Sequence, residues 1–139
     1  MKVNNNREFV QNRIINITRY LFYLSNVFLI VFYLYPGSIF GCLFYDDCKI
    51  QPHLTSDFIV SSNHVYVFFI ISLLGFIVYL KKAFKRILAY LLFISFFLEL
   101  SHLIIPGRSF EMEDLAGNIV GVAISLIIFL IFKFRKKNE

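Results

Sequence analysis

Two residues that can exchange a proton, Glu99 and His102, lie three positions apart in an otherwise apolar stretch of the sequence. At that spacing both side chains lie on one face of a helix. A carboxylate beside an imidazole can perform general acid and base chemistry, so this pair is the candidate catalytic site. The alternative interpretation is a structural pair that fixes the helix to a neighbour, since ionisable groups in apolar segments face the protein interior.

A single arginine, Arg108, follows the turn signal Pro106-Gly107 shortly after this pair. Its guanidinium can pair with Glu99 or Asp114, or it can hold a phosphate group through two parallel hydrogen bonds. An arginine that only faces lipid headgroups would have the same position in the sequence. Arg108 is therefore a candidate ligand-binding residue, with a headgroup contact as the alternative.

A polar stripe lies in the last apolar segment, where Asp114, Asn118 and Gly121 recur at steps of four and three residues. This spacing places them on one helix face. Asp114 and Asn118 are candidate ligand-binding residues, although a carboxylate near a helix start also caps free N–H groups. Gly117 and Gly121 together predict the close approach of another helix. His64 opens an earlier apolar segment and is a further candidate, with an idle interfacial histidine as the alternative.

The elements that carry these residues are predicted to be transmembrane helices. Of the 139 residues 58% are hydrophobic, and the mean hydropathy is +0.70. Soluble domains are about 45–50% apolar, so the excess indicates lipid surroundings. The apolar segments do not alternate with period two, which argues against a β-barrel. The sequence therefore predicts an all-α membrane protein, a bundle of four transmembrane helices at about residues 20–35, 60–80, 87–105 and 115–132.

The basic residues predict how these helices cross the membrane. Twelve of the fourteen Lys and Arg residues fall in the arm at residues 1–19, the connection between the second and third helices, and the tail at residues 133–139. Basic residues concentrate on the cytoplasmic side, so both termini are predicted to be cytoplasmic, in the bacterial cytoplasmic (inner) membrane. The residues then predicted near the outer face are His64, Glu99, His102, Arg108, Asp114 and Asn118.

Two cysteines, Cys42 and Cys48, also fall on the predicted outer side. If that side is an oxidising compartment, the two can form a disulfide across the five residues between them. Inert thiols are the alternative.

The residues from Phe97 to Phe110 and from Asp114 to Gly121 resemble the signature of the VanZ-like family. That signature is a Glu, a Gln three positions later, then Pro and Arg, then Asp, Asn and Gly at four- and three-residue steps. The opening residue of the 60–80 helix, His64, resembles a family histidine, and the resemblance covers about residues 60–132. The signature positions are matched here by Glu99, Pro106, Arg108, Asp114, Asn118 and Gly121.

The sequence departs from that signature at two places. His102 stands where the family has Gln, and Ser61-Ser62-Asn63 stand where an Asp-Lys pair is expected. An imidazole permits proton transfer that an amide does not. The family is named for a protein linked to low-level resistance to the glycopeptide antibiotic teicoplanin. The resemblance therefore implies a cell-envelope membrane protein with a role in antibiotic resistance.

Together these features predict an outward-facing site for an anionic amphiphile, such as a lipid-linked or cell-wall precursor, with or without catalysis. The outer arginine would hold its phosphate or carboxylate, Glu99 and His102 would handle a proton, and His64, Asp114 and Asn118 would complete the site. The alternative is a non-catalytic envelope factor whose polar cluster only locks the helices. The expected partner is a membrane lipid or a lipid-linked precursor rather than nucleic acid. No cofactor and no metal ion is predicted.

Overall fold

The computed structural model of the chain describes residues 2–57 and 59–135, and every regular element in these ranges is a helix. Helix α1 comprises Lys2–Leu34, α2 Ile39–Tyr45, α3 Ser62–Ser101 and α4 Met112–Arg135. The prediction of an all-helical fold is therefore confirmed.

Among the described residues, three helical segments are long and apolar enough to cross a membrane, namely Glu8–Leu34, Ser62–Tyr79 and Met112–Arg135. They present large apolar side chains outward, since Val27, Ile70 and Phe132 are each more than half exposed. Exposure of apolar surface to water costs about 25 cal/mol per Å², so this surface suits lipid. These segments agree with the prediction of a membrane protein.

Helix α1 begins much earlier than the predicted residue 20. Residues 2–35 contain no Pro or Gly, so nothing in the backbone interrupts the helix before Pro36-Gly37. The polar segment predicted as a separate arm therefore continues α1 in its described part, and Arg13 and Arg19 are exposed there. At the other end of the chain, α4 extends to Arg135, and residues 136–139 of the predicted tail lie outside the described residues.

The second and third predicted helices are two halves of α3, which is interrupted at Ala83. The dihedral angles of Ala83, φ −150° and ψ 31°, lie outside the helical region. Asn118 of α4 bonds to His64 near the start of the first half and to Ser95 towards the end of the second. The halves therefore lie side by side and antiparallel. The second half, residues 84–101, is not among the three long apolar segments.

Helix α4 packs most closely against the first half of α3, at two glycines. A Cβ atom on Gly121 would lie 2.5 Å from the carbonyl oxygen of Val65, and one on Gly117 would lie 2.7 Å from that of Ser61. Side chains do not approach a backbone so closely, so both positions require Gly, as their spacing predicts. The apolar core beside this contact includes Phe68, Phe76, Leu91, Leu98, Val122 and Phe129.

The connection between α1 and α3 is compact rather than an open loop. A disulfide joins Cys42 in the short helix α2 to Cys48. The Ser38 N–H donates to the carbonyl oxygen of Cys48 at 2.7 Å, and the ring of Phe40 stacks on Phe32 of α1 at 5.0 Å. The connection is thereby fixed against the end of α1.

We expect Gly121→Ala to destabilise the protein by about 1–3 kcal/mol, because its methyl group would force α4 away from the Val65 carbonyl. The measurement is thermal unfolding of the purified protein in detergent. Ala123→Leu is the matched control, since Ala123 is exposed on the same helix. Unfolding of Gly121→Ala at the wild-type temperature would contradict the close contact.

Candidate functional site

The six polar residues predicted to form a site meet at one end of the helices. His64 lies in the first turn of α3 and Glu99 in its last turn, which His102 follows. Asp114 and Asn118 belong to the first turns of α4. His64 Nε2 lies 3.3 Å from Asp114 Oδ2, and His102 Nδ1 lies 3.3 Å from Glu99 Oε1. The sixth residue, the arginine at 108, lies in the connection between α3 and α4.

A residue that the sequence analysis did not select, Tyr33 of α1, joins these groups. Its hydroxyl donates to Asn118 Oδ1 at 2.7 Å and lies 2.8 Å from His64 Nδ1. Its ring stacks on the imidazole of His102 with centroids 5.5 Å apart. No signal in the sequence distinguishes Tyr33, because it is one of eight tyrosines and lies in an apolar segment without a polar pattern.

The hydrogen bonds around Asn118 fix the proton position on His64. The Asn118 amide group donates from Nδ2 to the carbonyl oxygen of Ser95 at 3.3 Å, so its Oδ1 faces the other way and only accepts. His64 Nδ1, 3.1 Å from that oxygen, must therefore carry a proton. The second ring nitrogen, Nε2, is directed at the carboxylate of Asp114.

Glu99 and His102 share a proton in the protein interior. Glu99 is fully buried, and its Oε1 accepts the backbone N–H of Glu111 at 2.9 Å. His102 Nε2 lies 3.2 Å from the carbonyl oxygen of Tyr33, which can only accept, so the proton is on Nε2. The remaining contact, between His102 Nδ1 and Glu99 Oε1, then requires a further proton on one of the two atoms. This pair can therefore accept or release a proton.

Arg108 does not pair with the site carboxylates among the described residues. Its Nη2 donates to the carbonyl oxygen of Phe32 at 3.2 Å, and its Nε to that of Tyr35 at 3.5 Å. These carbonyls end α1, where a cation is favoured by the helix dipole. Burial lowers the pKa of the Arg108 guanidinium, and the nearby Asp114 carboxylate opposes that shift. The guanidinium nonetheless stays charged, because arginine titrates far above neutral pH.

A cavity of about 400 Å³ lies between α1 and the first half of α3. Its polar end is formed by Tyr33, His64, His102 and Arg108. Most of its other lining residues are apolar, and the polar ones among them are Ser25, Ser38, Gln51 and Asn63. Two apolar lining residues, Phe28 at 52% and Ile70 at 54%, are more than half exposed, so the cavity is open along them.

The other three predicted site residues, Glu99, Asp114 and Asn118, do not line this cavity. They lie behind its polar end and contact the two histidines that do line it. The structure thus separates residues that can touch a ligand from residues that position them.

The family described as VanZ/LLP1 matches residues 5–133 of the chain. This range extends beyond residues 60–132, which carry the resemblance in the sequence, and it includes α1 with Tyr33. The predicted resemblance is confirmed. Among curated proteins and among solved structures, none matches the chain.

A double-mutant cycle tests the hydrogen bond between Tyr33 and Asn118. We expect Tyr33→Phe and Asn118→Ala each to lower the free energy of unfolding, since each leaves a buried polar group without its partner. The double variant should lose less free energy of unfolding than the two single variants together, by about 0.5–3 kcal/mol. The measurement is again thermal unfolding in detergent.

The control cycle pairs Asn118→Ala with Tyr90→Phe, because Tyr90 donates to Asn26 at 2.6 Å rather than to Asn118. In this control cycle the loss of unfolding free energy in the double variant should equal the sum of the losses in the two single variants. Additive effects in the Tyr33 cycle as well would show that the hydroxyl and the amide act independently.

Proposed function

This chain belongs to the VanZ/LLP1 family, and on that premise we propose that it is an integral membrane protein whose cavity binds an anionic amphiphile. The ligand class is a membrane lipid or a lipid-linked cell-wall precursor that carries a phosphate or carboxylate. The proposed role lies in the cell envelope, including a resistance-like role against glycopeptide antibiotics.

The observation that carries this proposal is the two-part character of the cavity. Its volume of about 400 Å³ suits a small ligand or one end of a larger one. Its polar end offers an arginine and two histidines, and most of its other lining residues are apolar, with Phe28 and Ile70 more than half exposed. A headgroup at the polar end would leave its hydrocarbon chain along Phe28 and Ile70, which matches an amphiphile better than a water-soluble substrate.

Arg108 is the proposed anion-binding residue. Its two described hydrogen bonds use Nε and Nη2, and Nη1 has no partner among the described residues. A phosphate oxygen can accept from Nη1 while the carbonyls of α1 hold the guanidinium in place. Because the guanidinium is already fixed, little side-chain entropy is lost when an anion binds.

His102 is the proposed residue for proton exchange with the ligand. It lines the cavity, and Glu99 behind it shares its proton. If the Nε2–H of His102 turned from the Tyr33 carbonyl to a ligand oxygen, its transfer would be general acid catalysis, and the proton shared with Glu99 would move to Nδ1 to restore the neutral ring. The same pair can equally tune the charge of a binding site. Asp114 and Asn118 are proposed to act through His64, which they orient.

We further propose that the chain crosses the membrane four times, as a helix bundle with both termini in the cytoplasm. The twelve-to-two division of basic residues supports this orientation. The antiparallel halves of α3 support a second and third crossing. With this orientation, the cavity's polar end lies near the outer face of the bacterial inner membrane.

The alternative function is a non-catalytic envelope protein whose polar residues only hold the helices together. One observation favours it, namely that Arg108 and Glu99 each bond to backbone groups of another element. Such bonds are what a purely structural cluster needs.

A binding experiment separates the two functions. We expect the purified protein to bind a polyprenyl phosphate at least about tenfold more tightly than the corresponding polyprenol, because charge-assisted hydrogen bonds contribute about 1.5–3 kcal/mol. Arg108→Ala should abolish this preference. Arg86→Ala is the matched control, because Arg86 is exposed and lies beside the break at Ala83, away from the polar residues at the two ends of α3. The titration is run with a chelator present, and unfolding of each variant is measured in parallel.

Equal affinity of the wild-type protein for the phosphate and the alcohol would contradict the proposal. Loss of folded protein in Arg108→Ala, without any phosphate preference in the wild type, would support the structural alternative.

The orientation has its own test, single cysteines in a variant without Cys42 and Cys48. We expect cysteines at Ser56 and Ser109 to react with an impermeant thiol reagent in intact cells, and one at Ala83 not to react. Lysed cells provide the control, since all three positions should then react. Labelling at Ala83 alone in intact cells would reverse the orientation.

A further inference from the structure

Three side chains, one that lines the cavity and two behind it, bring metal-ligating atoms close together. One such atom from each of His64, Glu99 and Asp114 lies within 4.8 Å of the other two. These residues come from the start of α3, the end of α3 and the first turn of α4, so the fold itself brings them together.

One oxygen of the Glu99 carboxylate makes no hydrogen bond to any described group. The residue is fully buried, and its Oε1 contacts Glu111 and His102, whereas its Oε2 has no hydrogen-bond partner among the described residues. A buried carboxylate oxygen without a partner is costly, because it has lost its water. A cation beside Oε2 would supply the missing partner.

His64 presents a lone pair to a carboxylate. Its Nδ1 carries the proton, because it faces the accepting oxygen of Asn118. In the neutral ring, Nε2 is then unprotonated and lies 3.3 Å from Asp114 Oδ2. Two lone pairs at that distance repel unless a proton or a cation lies between them. Two ligands of a tetrahedral Zn²⁺, each about 2.0–2.1 Å from the metal, are about 3.3 Å apart, which matches the separation.

We propose that His64, Glu99 and Asp114 bind a divalent transition-metal ion of the Zn²⁺ type. Their two carboxylates balance the charge of the ion, since Arg108 is engaged with the carbonyls of α1. One imidazole nitrogen and two carboxylate oxygens suit Zn²⁺, Mn²⁺ or Fe²⁺ better than Ca²⁺ or Mg²⁺, which prefer oxygen alone. The three ligand atoms lie within 4.8 Å of one another, so the ion would draw them closer, to the spacing of about 3.3 Å between two ligands of tetrahedral Zn²⁺.

The surroundings of these residues resemble the outer shell that metal-binding residues need. A ligating histidine donates its other N–H to a fixed acceptor, and here His64 Nδ1–H faces Asn118, which Tyr33 and Ser95 hold. Three protein ligands leave a coordination position for water or a ligand atom, and His64 also lines the cavity. Ion binding does not depend on the proposed lipid ligand, so this inference goes beyond the proposed function.

The test uses the full chain without a histidine tag, purified in detergent and freed of metal by a chelator that is then removed. Zn²⁺ is titrated by calorimetry, and Co²⁺ is titrated by its visible absorption, which reports the coordination geometry. We expect one ion per chain and a higher unfolding temperature with Zn²⁺ than without, because the ion binds only the folded state.

Glu99→Gln and His64→Ala should each weaken Zn²⁺ binding more than about 100-fold, and Asn118→Ala about 10–100-fold, as loss of an outer-shell partner does. His53→Ala is the matched control, since His53 also contacts a carboxylate, Asp57, but in the exposed connection. It should bind Zn²⁺ as the wild type does. Circular dichroism of each metal-free variant shows whether it has folded.

Three results would overturn the inference: wild-type protein that binds no Zn²⁺ or Co²⁺ at one ion per chain, binding that survives in folded Glu99→Gln and His64→Ala, or a preference for Ca²⁺ or Mg²⁺. A doubly protonated His64 ring in the nitrogen NMR spectrum, unchanged by Zn²⁺, would identify an imidazolium–carboxylate pair with Asp114 instead. Because the lipid titration is run with a chelator present, failure of either proposal leaves the other measurable.

Discussion

The burial of the Glu99 carboxylate is the constraint on which the polar end of this structure depends. A carboxylate removed from water inside an apolar helix pair has to be compensated by groups at hydrogen-bond distance. The carboxylate of Glu99 accepts a hydrogen bond from the backbone N–H of Glu111, and this bond holds the α3–α4 connection against the end of α3. It also contacts His102, whose other nitrogen bonds to the backbone of Tyr33. One buried charge thus fixes the relative positions of α1, α3 and the connection after α3.

Tyr33 extends this constraint to the other helices. Through its backbone it contacts the end of α3, and through its hydroxyl it contacts Asn118 of α4 and His64 at the start of α3. Asn118 in turn reaches the second half of α3 at Ser95. The polar network therefore links every long helical segment at one level. Stability and any ligand chemistry are coupled here, and only measurements that follow both can assign a residue to one of them.

The residues of the site were largely predictable, because helix periodicity is local information. The spacings of Glu99 with His102 and of Asp114 with Asn118 place each pair on one face, and the two glycines in α4 indicate a close contact. Tyr33 was not predictable, since its partners are 31, 69 and 85 positions away in the sequence. The break at Ala83 falls within the basic connection predicted between the second and third helices, at residues 81–86, so its place was predictable. Helix α2 was not predicted, and it is held by contacts that are not helix periodicity, namely the disulfide to Cys48 and the stacking of Phe40 on Phe32.

The sequence predicted one cluster of polar side chains but not its division into two layers, the residues that line the cavity and the residues behind them. This division has a physical reason. Side chains that touch a ligand need an open surface, whereas a carboxylate that compensates a histidine has to be held out of water to act strongly. The histidines therefore line the cavity, and Glu99 and Asp114 lie behind them. An anion held by Arg108, as proposed, would lie on the cavity side of both imidazoles, opposite the carboxylates. Each imidazole would then lie between two negative groups, a position that favours a proton or a metal ion at the ring nitrogens. The cavity and the carboxylate layer would thereby depend on each other, because the charge of a ligand would change what the histidines bind, and what the histidines bind would set the charge that the ligand meets.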